Sequence, residues 1–113
     1  FCERLREDFE EAITIGLAQQ RAEQARLEHA QAVNEQGLYY GKIQEGKDAL
    51  YRLERVISDS VAAGRNVMPL VQRKLEFEAL LTRVRKLLAA AILRRDAAVV
   101  ELASAEVLLA DLA

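Results

Sequence analysis

Apolar and polar positions along the C-terminal half alternate with a heptad rhythm. Val67, Leu70, Lys74, Phe77, Leu81, Val84, Leu88, Ala91, Arg95, Ala98, Leu102, Ala105, Leu109 and Leu112 are spaced alternately three and four apart, and twelve of the fourteen are apolar. A helix with this period carries a narrow apolar seam that must lie against another helix. A weaker seam runs upstream through Val61, Ile57, Leu53, Leu50, Gly46, Ile43, Tyr39, Gln36, Ala32, His29, Ala25, Ala22, Ala18, Ile15, Ala12, Phe9 and Leu5. Gln36, His29 and Gly46 interrupt it, and Ala replaces larger residues over 18–32.

Between the two seams lies Ala62-Ala63-Gly64-Arg65-Asn66-Val67-Met68-Pro69. Gly64 suits the left-handed residue that ends a helix. Asn66 suits the residue that caps the next one, and Pro69 falls in a first turn, where a missing N–H costs nothing. The pattern predicts a helix over 3–63, a turn at 64–66 and a helix over 67–112, all in one domain spanning 1–113. So short a connection makes the helices adjacent and antiparallel.

The open point is 34–41, where the first helix has its possible break. Gly37, Gly41 and Gly46 fall within ten residues, and each costs a helix about 1 kcal/mol relative to Ala. A loop there would give a three-helix bundle. Continuity is favoured, because no proline intervenes and a 67–112 helix of about 69 Å needs a partner of comparable length. The fold expected is therefore all-α: a long antiparallel helical hairpin or coiled coil, with the three-helix bundle as the alternative.

Composition sharpens this picture. Hydrophobic residues make up 51% of the 113, but aromatics only 5%, and Trp is absent. Such a chain suits closely packed Ala-rich helices better than a globular core, and it has no strand-type runs. Residues 1–36 hold 4 basic and 8 acidic groups, and 65–113 hold 8 basic and 6 acidic. No apolar run is long enough for a transmembrane helix. The chain opens on Phe1 rather than Met, which reads as a processed or excised piece.

Few residues offer chemistry. His29 is the only histidine and Cys2 the only cysteine, 27 positions apart, so a triad or metal site built from them has no support. The acids Glu3, Glu7, Asp8, Glu10 and Glu11 lack the Glu-x-x-His spacing of di-iron bundles and fit the positive end of a helix dipole. Ser58 and Ser60 have no base nearby. No catalytic, cofactor or metal residue is expected, and the reading is non-enzymatic: a structural or protein–protein interaction module. Leu80, Leu87, Val100, Val107 and Leu108 lie beside the main seam and widen the apolar stripe, which points to self-association or a protein partner. Arg83, Arg85, Lys86, Arg94 and Arg95 occur with no acid between Glu78 and Asp96. They are the candidates for an anionic nucleic acid or lipid surface. At helical spacing they spread around the helix, which disfavours nucleic acid.

The stretch from Leu50 to Leu109 resembles the periplasmic helical hairpin of outer-membrane efflux channels of the TolC family. The resemblance rests on Val61-Ala62-Ala63-Gly64-Arg65-Asn66-Val67-Met68-Pro69-Leu70-Val71-Gln72, on Leu75 and Ala79-Leu80, and on Leu87-Leu88-Ala89-Ala90-Ala91 continuing through Ala98, Leu102 and Ala105. It implies that Gly64 and Arg65 sit at a periplasmic tip that meets an adaptor protein, in one segment of a trimeric channel. A free module would instead be expected in the cytoplasm.

Overall fold

The computed structural model describes residues 2–112; of the expected domain 1–113, Phe1 and Ala113 lie outside the described residues. The fold is all-α, an antiparallel helical hairpin of two long helices that pack against each other. Helix α1 spans Cys2–Ala62 and helix α2 spans Met68–Leu112.

No break occurs at 34–41, nor at Gly46, so the three-helix alternative falls away. Gly37 and Gly41 face open space. Around them half-buried Gln36 and Tyr39 and buried Ile43 keep the seam in contact, and that packing outweighs the glycines' poor helix propensity.

The turn is built as its residues require. Gly64 adopts φ 70, the sole positive φ among the described residues. Its N–H donates to the Val61 carbonyl at 3.0 Å, and the Arg65 N–H donates to the Ser60 carbonyl at 2.9 Å. This pair of bonds is the Schellman closure, which satisfies carbonyls the helix end would otherwise leave bare. Across the turn the Met68 N–H donates to Asn66 Oδ1 at 3.1 Å, and the Val71 N–H to the Val67 carbonyl at 2.9 Å. Asn66 is thus the cap of α2.

The chain divides into two packing units. The first joins α1 up to Asn34 with α2 from Ile92. Its buried apolar residues are all alanines: Ala18, Ala22, Ala25 and Ala32 on α1, and Ala98 and Ala105 on α2. Methyl-sized side chains let the two backbones approach closely, and half-buried Leu102, Leu109 and Leu112 fill the rest. Two ion pairs tie the helices at the surface: Arg21 Nε to Glu101 Oε1 at 2.7 Å and Arg26 Nη2 to Glu106 Oε1 at 3.7 Å.

The second unit runs from Glu35 to Ala91 and contains the turn. Ile43, Leu81 and Ala91 are its buried apolar residues, with Ser60 buried beside the turn. Leu81 lies over Gly46: a Cβ added to that glycine would come within 2.6 Å of the leucine Cδ2. Lys74 occupies a seam position but reaches outward. Its Nζ lies 3.4 Å from Glu54 and 4.0 Å from Glu78, so the stem covers apolar surface while the ammonium finds carboxylates.

All fourteen heptad positions, Val67 in the turn and thirteen on α2, are buried or half-buried. The α1 seam holds from Ile15 to Ile57 and fails at both ends, where Leu5, Phe9, Ala12 and Val61 are exposed. At the turn end Ser60, three residues from Ile57, takes the inward place that the spacing predicts for Val61.

Candidate interaction surface

What the seam leaves outside decides what the chain can do. In the second unit Leu80 and Leu87 are exposed on α2, one heptad apart. Arg83, between them, is exposed too, and an open groove is lined by Glu76, Ala79, Leu80 and Arg83. A second shallow groove beside Met68, Val71, Leu75 and Ala79 is mostly apolar. Gly64 and Arg65 are exposed at the turn.

In the first unit the outward face of α2 carries Val99, Val100, Ala103, Ser104 and Val107 around an open depression. Val100 and Val107 are exposed, and Leu108 is half-buried against the seam. The apolar residues that flank the main seam are therefore split. Four of the five, Leu80, Leu87, Val100 and Val107, face outward.

The basic residues form no single patch within either unit. Arg83, Arg85 and Lys86 belong to the second unit, where Arg85 lines a groove with Lys47, Tyr51, Glu54 and Glu78. Two carboxylates in that groove temper its positive charge. Arg94 and Arg95 belong to the first unit, and Arg95 holds Asp96 through Nε at 3.1 Å and Nη2 at 3.0 Å. Arg95 thus meets its seam position by turning its charge onto a neighbouring acid.

His29 is half-buried on the α1 seam. Among the described residues no group of three or more His, Cys, Asp or Glu side chains is gathered so as to hold a metal ion. No helix among them is long and apolar enough to cross a membrane.

Arg21 and Glu101 perturb each other electrostatically. The hydrogen bond from Arg21, and secondly its charge, hold the Glu101 carboxyl below the usual carboxylate range, and the guanidinium is raised by the same two causes. Because the folded carboxyl titrates below the unfolded one, its stabilisation is present above the ordinary carboxylate range and is lost as pH falls through the depressed folded value. The pair is exposed, so the effect is small. Following the Glu101 side chain by NMR during acid titration should show the depressed midpoint, and Arg21→Gln should return it to the ordinary range. An unchanged midpoint in that variant would show that Arg21 is not the cause.

The exposed apolar residues of α2 could have been found from sequence by continuing the heptad count past the main seam. Sequence reasoning reached Leu80, Leu87, Val100 and Val107 that way but passed over Leu93, which is 70% exposed. It stands on the same outward line as Val100 and Val107. No protein-family model matches the chain, and neither a curated protein nor a solved structure matches it.

Proposed function

We propose that this chain is a non-enzymatic helical interaction module whose seam builds the scaffold and whose outward apolar side chains dock another helix. The observation that carries this reading is the exposure of Leu80 and Leu87 in one unit and of Val100 and Val107 in the other, each pair at heptad spacing. A helix that has already satisfied its seam gains nothing from a second apolar stripe unless something covers it. The test places a photo-crosslinking residue at Leu80, Leu87 or Val100 in cells that naturally express the protein. Discrete protein adducts are expected from these positions and none from exposed polar Glu23. Absence of adducts at all three apolar positions would overturn the reading.

A second reading, a segment of a TolC-like export channel, draws support from the turn. Gly64 closes α1 at φ 70 and leaves Arg65 exposed at the tip. A photo-crosslinker at Arg65 would then mark an adaptor protein in the envelope fraction, while a purely soluble adduct would exclude the channel.

A further inference from the structure

Within the first unit, the outward face of α2 repeats the design of its inward face. Leu93, Asp96, Val100, Ala103, Val107 and Ala110 are spaced alternately three and four apart on the side opposite the packed seam. Val100 is 66% exposed and Val107 61%. Asp96 is the single charge in this line, and Arg95 already holds it. The flanking residues Ala97 and Ser104 are small on one side, and on the other Val99 is exposed while Glu106 pairs with Arg26.

From this pattern we infer that the stripe is a homodimer face, and that a second copy of the chain lies antiparallel across it about a two-fold axis between Glu101 and Leu102. The inference rests on the interaction-module reading and names its partner. In that register Val100 meets Ala103 of the second copy, Leu93 meets Ala110, and Val107 meets Asp96. Each large side chain falls opposite a smaller one, as close helix packing requires. Charge selects the orientation. A parallel pairing would set Asp96 against Asp96 and Glu106 beside Asp111, each a like-charge contact. The antiparallel pairing sets Glu106 beside Val99 and Ala97 beside Ser104, with no like charges opposed.

The stripe has apolar surface left to bury: Leu93 is 70% exposed beside Val100 and Val107. Among the described residues no large side chain is fully buried, so the large apolar groups still have surface to contribute.

The experiment is sedimentation equilibrium on the full chain with Cys2→Ser as background, for the parent and for Val100→Glu. A dimer at micromolar concentration is expected from the parent. Val100→Glu should weaken it at least 100-fold while the helical circular dichroism is kept, because residue 100 already faces solvent. A parent that stays monomeric at 100 μM, or a dimer indifferent to Val100→Glu, would overturn the proposal. Orientation is read by oxidation: a mixture of Leu93→Cys and Ala110→Cys chains should form mixed disulfides, and Leu93→Cys alone should not. Strong disulfide formation by Leu93→Cys alone would mean a parallel pair and would also overturn it. A monomeric chain whose residue-100 photo-adduct carries a different protein would remove the self-pairing yet keep the interaction-module reading. Loss of adducts at positions 80, 87 and 100 alike would remove both.

Discussion

Leu81→Ala should lower the free energy of unfolding by about 2–5 kcal/mol, the range for truncating a buried leucine whose site cannot fully collapse. Leu81 is 6% exposed and is the largest buried side chain of its unit along with Ile43. Its neighbours are held by two long helices with regular backbone hydrogen bonding, so the backbone has little freedom to close the gap. Leu88, one heptad on, is only half-buried. Its truncation should therefore cost less, about 1 kcal/mol for the apolar surface it removes from the seam. Chemical denaturation of the two variants beside the parent, at matched protein concentration, checks both values. Equal costs for Leu81→Ala and Leu88→Ala would mean that burial along the seam is uniform, and that position 81 has no special place in the unit.

The contrast between these two leucines marks where the sequence stops being informative. Heptad spacing predicts that both face inward, and both do. It carries no information on depth, because depth depends on the size of the residue across the interface. Leu81 is deep because Gly46 lies beneath it. The turn was legible for the opposite reason: Gly64, Asn66 and Pro69 each act through local backbone geometry that needs no partner. The same limit explains the ends of α1. Leu5 and Phe9 continue the period faithfully yet are exposed, because a period fixes which face a residue takes and not whether that face is covered. The spacing put Val61 inward by a four-residue step from Ile57, but a three-residue step is equally permitted there. The choice goes to Ser60 beside the Schellman closure, whose carbonyl accepts the Arg65 N–H. For the interaction surface, periodicity located the outward residues of α2. Grouping Val107 with Leu108 as neighbours of the seam missed a difference in depth: Leu108 borders the seam and is half-buried, while Val107 faces away from it and is exposed.

Gly46 yields the sharpest test of the packing. From sequence it is an interruption of the α1 seam, a residue that costs the helix about 1 kcal/mol. In the structure it is the seat of Leu81, and a methyl group there would stand 2.6 Å from Cδ2 and 3.1 Å from Cγ. Gly46→Ala therefore gains about 1 kcal/mol of helix propensity and incurs an overpacking cost of about 1–3 kcal/mol. The leucine Cγ is crowded as well as its terminal methyl, so a simple rotamer change does not relieve the clash, and the net effect should be destabilising. Gly37 and Gly41 have nothing within 4 Å of a new Cβ, so Gly37→Ala and Gly41→Ala should each stabilise by about 1 kcal/mol. The decisive measurement is a double-mutant cycle. With Leu81 already cut to Ala, the obstruction is gone, and Gly46→Ala should change sign and stabilise the protein, with a coupling energy of about 1–3 kcal/mol between the two sites. If Gly46→Ala has the same effect in both backgrounds, the glycine is merely a weak point in the helix and not the seat of Leu81. A reversal of sign would establish that one absent methyl group sets the depth of the best-buried leucine in the hairpin.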